Sequence, residues 1–193
     1  ALERWRTAGA KIIPISLPRL PEALAAYYII SPAEVSSNLA RFDGVRYGDR
    51  QVGATWREEY DKTRGQGFGR EVRRRIILGT YVLSSGYYDA YYRRALATRT
   101  LLMADFASAF NQVDAVVTPT TPTTAFALGE KITDPLQMYL ADVFTVPANI
   151  AGLPAISIPA GVDENGLPGG FQFVTPAGRE DLLFHLGKQH ATL

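Results

Sequence analysis

The sequence predicts an α/β fold, with helices layered against a β-sheet. Three observations carry this. Apolar or small residues recur three and four apart over long stretches, as in Val72, Ile76, Gly79, Leu83 and Tyr87, and such spacing is helical. Short β-branched or aromatic runs alternate with these stretches: Asp114–Thr118, bounded by Pro119, then Ala155–Pro159 and Gly170–Val174, with a turn at Asn165–Gly166 between the last two. The composition, 47% hydrophobic and 20% charged over 193 residues, supplies one domain with a real core.

Taken in order, Ala1–Arg6 reads as the middle of a helix, without methionine or cap, and Lys11–Ile15 as an apolar strand. Such an opening is expected of a chain cut inside a larger fold. Pro18 and Pro21 open a helix on which Leu24, Tyr27 and Tyr28 share a face. Ser31-Pro32-Ala33-Glu34 has the form of a capping box, which predicts a new helical turn starting at Ser31. From Ser36 to Gly48, Ser, Asn, Asp and Gly alternate with Leu, Phe, Val and Tyr. Two readings stand for this run: a packed functional loop, or an ordinary helix exit stopped at Gly44. Thr55–Tyr60 predicts a short helix ended by Gly65, Gly67 and Gly69, and Arg70–Asn111 a helical run split near Ser84–Gly86. Within that run Tyr87/Tyr91 and Tyr88/Tyr92 are i,i+4 pairs suited to packing. Asp134-Pro135 is a cap and first position for a helix running toward Phe144, and a last helix begins near Glu180.

Several classes of function are disfavoured. A formal net charge of +1 gives no nucleic-acid surface by composition. The absence of cysteine excludes disulfides, a thiol nucleophile and thiolate metal sites. His185 and His190 are not at i,i+4 spacing, which argues against zinc. No apolar run approaches the roughly 20 residues of a membrane helix, and without a visible signal peptide the default location is cytoplasmic. Gly65, Gly67 and Gly69 are no phosphate loop, because no GK[ST] follows and no strand precedes them. There is no G-x-S-x-G elbow.

Four motifs together carry a resemblance: Ser36–Gly48, Gly67-Phe68-Gly69, Ile77-Leu78-Gly79-Thr80 and Ser84–Tyr92. The chain resembles the amidase signature family, and within it the glutamine-hydrolysing subunits of tRNA-dependent amidotransferases. Val146–Ala155 is similar to a motif of the wider family. The resemblance covers essentially the whole chain but only the later part of the family's length. It implies that residues 1–193 form a single domain that is the C-terminal portion of a larger amidase domain, with a mixed β-sheet layered between helices.

In that family a serine is the nucleophile, and a second serine and a lysine relay its proton. These lie in a Gly/Ser-rich run that this sequence does not contain. The serine pairs Ser36-Ser37 and Ser84-Ser85 do not sit among glycines in that manner, and Lys11, Lys62, Lys131 and Lys188 have no serine beside them. No catalytic residue is assigned, and the chain by itself is expected to be inactive. What the resemblance places here is recognition of glutamine: Arg75 for the α-carboxylate, Asp142 for the α-ammonium, and Tyr27 lining the same pocket. A guanidinium fork suits a carboxylate, and a carboxylate suits an ammonium. Read from the residues alone, Arg73-Arg74-Arg75 is a solvated helix face, Asp142 faces water, and either Tyr27 or Tyr28 is the core member of its pair.

The implied parent activity is release of ammonia from glutamine. A partner then uses that ammonia, with ATP and Mg, to amidate Glu-tRNA(Gln) or Asp-tRNA(Asn). The implied partners are glutamine, the amidotransferase subunits B and C, and tRNA mainly through the partner subunit; no cofactor is expected in this chain. The competing readings are part of a stand-alone amidase and a non-catalytic remnant that docks partners.

Overall fold

The computed structural model describes residues 1–130 and 135–192. Its backbone contacts group into two units, residues 1–24 with 98–193, and residues 25–97.

The first unit is built on a three-stranded sheet of β1 (Val116–Pro119), β2 (Ala155–Val162) and β3 (Pro168–Val174), in the order β1-β3-β2 and antiparallel throughout. Alternation along β3 separates two faces. Phe171 and Phe173 pack with Ile158 of β2, with Trp5 of α1 (Leu2–Thr7) and with Leu183 of a C-terminal helix over Glu180–His190. Trp5 meets Phe173 edge-on at 5.2 Å, and Phe171 meets Phe173 in the same way at 5.0 Å. His190 closes this cluster. Its Nε2–H donates to the carbonyl of Pro159 at 2.7 Å, while its Nδ1 accepts from the Trp5 indole N–H at 3.2 Å. A carbonyl can only accept and an indole N–H only donate, so the pair of bonds assigns the ring proton to Nε2.

The other face of β3 carries Gln172, 4% exposed, opposite Thr118 and Ser157. Beside it, Gly170 lets the hydroxyls of Thr120 and Ser157 meet across the central strand at 2.7 Å; a Cβ at residue 170 would lie 2.7 Å from Thr120 Oγ1. The predicted turn joins β2 to β3. Asp163 accepts the amides of Asn165 and Leu167, each at 2.9 Å, and Gly166 takes φ +77°.

The sequence expectation of a strand at Lys11–Ile15 is not met. The segment is without regular structure, and no described strand pairs with it. An apolar run becomes a strand only where a ladder partner exists, and Pro14 removes one of the donors such a ladder would use.

In the second unit, α2 (Leu20–Leu39), which begins in the first, runs without interruption through Pro32. The helix start expected at Ser31 is therefore overturned. Pro32 is fully buried, together with Ala26, Ile30 and Ala33 on the same helix. Packing along this face outweighs the lost N–H and the proline's clash with the preceding turn. The helix leaves at Leu39 into an irregular segment with Gly44 at φ +77° and Gly48 at φ +114°. This is the helix-exit reading of Ser36–Gly48, with packing added. Arg64 donates to the carbonyls of Leu39, at 3.0 Å, and of Phe42, and the amide of Gln51 donates to the buried Thr63 hydroxyl at 2.9 Å. Those two partners lie on α3 (Trp56–Gly67), whose N-cap Thr55 accepts from the amide of Glu58. Gly65 falls inside that helix, which ends at Gly67, within the expected run of glycines.

The long helical stretch divides as expected. α4 spans Arg70–Val82, Gly86 takes φ +86°, a π-helical turn covers Tyr88–Tyr92, and α5 spans Arg93–Phe110. The paired tyrosines touch, with ring centroids 6.0 Å apart for Tyr87/Tyr91 and 5.2 Å for Tyr88/Tyr92. Farther on, α6 covers Pro135–Leu140 and α7 covers Val146–Ala151, so the C-terminal helix is α8. The expected cap Asp134 lies outside the described residues. The helix after it ends at Leu140, short of Phe144, and turns fill residues 141–145.

Candidate functional site

Gly69 is the N-cap of α4, and the helix that follows sets Glu71, Arg74 and Arg75 on neighbouring turns. The three form one ionic cluster. Arg75 Nε donates to Glu71 Oε1 at 3.0 Å, and Arg74 Nη1 donates to Glu71 Oε2 at 2.8 Å. The Arg75 side chain retains 24% of its exposure, so it is half-buried while Arg73 is open to solvent. The reading of Arg73-Arg74-Arg75 as one solvated face thus fails at Arg75.

α2 supplies the rest of the cluster. The Arg75 guanidinium carbon stands 5.5 Å from the centre of the Tyr28 ring, a cation–π distance. The Tyr27 ring meets that of Tyr28 edge-on at 5.1 Å, and the Tyr27 hydroxyl hydrogen-bonds the Arg75 guanidinium. Burial works to lower the proton affinity of Arg75. The bonds to Tyr27 and Glu71 outweigh it, and the pKa sits above the ordinary arginine value. The structure therefore brings Arg75 and Tyr27 together. Both tyrosines touch the guanidinium, Tyr27 by its hydroxyl and Tyr28 by its ring.

Asp142 belongs to the first unit, in the turns between α6 and α7, with its side chain exposed. Its carbonyl accepts from the amides of Thr145 and Val146 at 3.1 and 2.9 Å and from the Thr145 hydroxyl at 3.2 Å, so the backbone beneath the carboxylate is fixed. The segment is also tied to the sheet. Gln172 Nε2 donates to the carbonyl of Phe144 at 2.9 Å and to Thr118 Oγ1 at 3.1 Å, using both amide protons.

Glu71 and Gln172 extend the set of residues singled out in the sequence. The i,i+4 spacing of Glu71 and Arg75 is a usable signal; nothing in the sequence pairs Gln172 with residue 144. Among the described residues no group of three or more histidine, aspartate or glutamate side chains could hold a metal. No described helix is long and apolar enough to cross a membrane. Chemically, the second-unit cluster presents a braced cation with an aromatic floor, suited to a planar anion.

The profile of the Amidase family matches residues 1–184. The chain is 60% identical over 182 residues to the A subunit of glutamyl-tRNA(Gln) amidotransferase from Maricaulis maris, covering 94% of this chain and 37% of that protein. The protein of the same name from Chloroflexus aggregans is 57% identical over 187 residues, 97% of this chain and 38% of that one. The crystal structure of the corresponding A subunit from Thermotoga maritima superposes with a TM-score of 0.57 at 43% identity, over 83% of this chain and 30% of that chain. A crystal structure of an amidase superposes with a TM-score of 0.71 over 100% of this chain and 40% of its own; at 23% identity, that likeness is one of fold alone. The chain spans a little over a third of the length of the curated relatives it matches, 37% and 38% for the two described. With a family match reaching from residue 1 to residue 184, the chain belongs to the Amidase family.

Proposed function

We propose that this chain is the substrate-holding part of a glutaminase, the amidase-type subunit of a tRNA-dependent amidotransferase. In this reading Arg75 receives the α-carboxylate of glutamine with Tyr27 beside it, and Asp142 receives the α-ammonium. The serine nucleophile and its serine–lysine relay lie in sequence that this chain does not contain. The ammonia released passes to a partner of the subunit-B type, held by a small subunit of the C type. That partner uses ATP and Mg to convert Glu-tRNA(Gln), or Asp-tRNA(Asn), to its amide in the cytoplasm, and it makes most of the contact with tRNA.

The observation that supports the reading most is the Arg75 cluster. A half-buried guanidinium braced by Glu71, Tyr27 and Tyr28 is an arrangement a solvated helix face does not require. A plain amide has no α-amino-acid end to hold, so the cluster favours glutamine over the substrate of a stand-alone amidase.

The test is kcat/KM for glutamine and for an amide lacking both α-groups, measured in the intact enzyme with R75K and D142N. Lysine offers a point charge and cannot make two parallel bonds to a carboxylate. Each variant loses about one charge-assisted hydrogen bond to the ligand, about 1.5–3 kcal/mol, so glutamine use falls roughly tenfold or more. Turnover of the plain amide stays where it was. An equal loss for both substrates would assign Arg75 and Asp142 to the fold rather than to the substrate.

A further inference from the structure

We propose that Glu71 is a positioning residue that fixes the Arg75 guanidinium so that a ligand carboxylate is received end-on, across Nη1 and Nη2. The proposal rests on the reading above that Arg75 takes the carboxylate. A guanidinium offers two edges where paired N–H groups can bond a carboxylate in parallel: the end, Nη1 with Nη2, and the side, Nε with one Nη. Glu71 Oε1 occupies Nε at 3.0 Å and so removes the side edge; the Tyr27 hydroxyl takes one of the four η N–H groups, and the other three are left to a ligand. Glu71 is itself pinned, because its second oxygen is held by Arg74 at 2.8 Å and cannot rotate away without losing that bond. The Tyr28 ring, its centre 5.5 Å from the guanidinium carbon, attracts the cation and adds a third contact that holds it in place. Glu71 also shares one negative charge between two guanidinium groups. The trio therefore keeps a charge of +1, which one carboxylate ligand neutralises. The expected ligand is an α-amino acid whose carboxylate is coplanar with the outer fork.

A cycle of variants in the intact enzyme tests this. E71A frees Nε and lets the fork swing, so KM for glutamine rises about tenfold, the effect of roughly one charge-assisted hydrogen bond, while kcat changes little. E71Q restores most of the affinity, since its amide oxygen still accepts from Nε. In an R75K background E71A costs nothing further, because lysine has no Nε–H to orient. Use of 4-aminobutanamide, which lacks the α-carboxylate, is the same in all the variants. An E71A cost that is equal with Arg75 intact and in the R75K background would overturn the proposal, as would E71Q behaving like E71A. If R75K itself spares glutamine, both the proposal and the reading beneath it fall; if R75K damages glutamine use but E71A adds to it independently, the proposal alone falls.

Discussion

On one face of the sheet in the first unit, Trp5, Ile158, Phe171, Phe173 and Leu183 fill the space with side-chain bulk. In the second unit, the contact between α2 and α4 at Gly79 is made by a residue with no side chain. A Cβ at Gly79 would lie 1.9 Å from the Pro32 carbonyl oxygen and 2.7 Å from Ser36 Cβ. The Ser36 and Thr80 hydroxyls then join the same two helices at 2.9 Å. One region is stabilised by apolar area removed from water, the other by an approach close enough for backbone to touch backbone. The two respond to mutation in opposite senses: the first fails when atoms are taken away, the second when one is added.

The largest effect is expected from F173A. It removes the ring that Trp5 and Phe171 both pack against, at a cost of about 3–5 kcal/mol. Thermal or denaturant unfolding measures the loss, and amide exchange should accelerate first along β1 and β3. G79A comes next. The neighbour it meets is backbone, which cannot rotate aside, so the cost lies at or above the roughly 3 kcal/mol upper range of overpacking. Exchange should accelerate first in α2 and α4, with the sheet amides unchanged. Uniform acceleration through both units in either variant would show that they unfold together, and the contrast would not extend to stability.

A smaller effect is expected at the hairpin. The Thr124 hydroxyl, at 2.7 Å, and the amides of Leu167 and Asn165 hold the Asp163 carboxyl below the usual aspartate pKa. A carboxyl depressed in the folded state stabilises the fold above its unfolded pKa, about 3.9, and this contribution is lost as pH falls through the folded value. Exchange protection at the Asn165 and Leu167 amides should therefore decline on acidification below about pH 4, and D163N should abolish that dependence. A pH-independent hairpin in the native sequence would contradict it.

How legible these features are in the sequence follows from the range of the forces involved. The Asn165–Gly166 turn, the Thr55 cap and the split at Gly86 are local and readable from the residues that make them. Lys11–Ile15 misleads because strand formation depends on a partner elsewhere, and Ser31–Glu34 because burial of Pro32 decides the issue from outside the motif. The same division runs through the candidate site. Glu71 and Arg75 are one helical turn apart and visible as a pair. Arg75 meets Tyr27 and Tyr28 only once α2 and α4 have packed, and Gln172 reaches Thr118 from 54 residues away in the chain. The choice of Arg75, Asp142 and Tyr27 comes from resemblance, since composition and spacing alone favour a solvated face.

The bond between His190 and Pro159 has a consequence for what the molecule avoids. Among the described residues β2 is an edge of the sheet, and edges recruit strands from other molecules. Opposite Pro159, Gly170 turns its carbonyl toward Thr120 at 3.1 Å, on the β1 side. The Pro159 carbonyl accordingly faces outward, where His190 takes it, and proline has no N–H to offer. A register shift follows between Pro159 and Gly161. An incoming strand that zipped along Ala155–Ile158 would meet a rung with neither donor nor acceptor, then a break in the ladder. Cross-β growth from this edge is halted by a proline and an imidazole borrowed from α8.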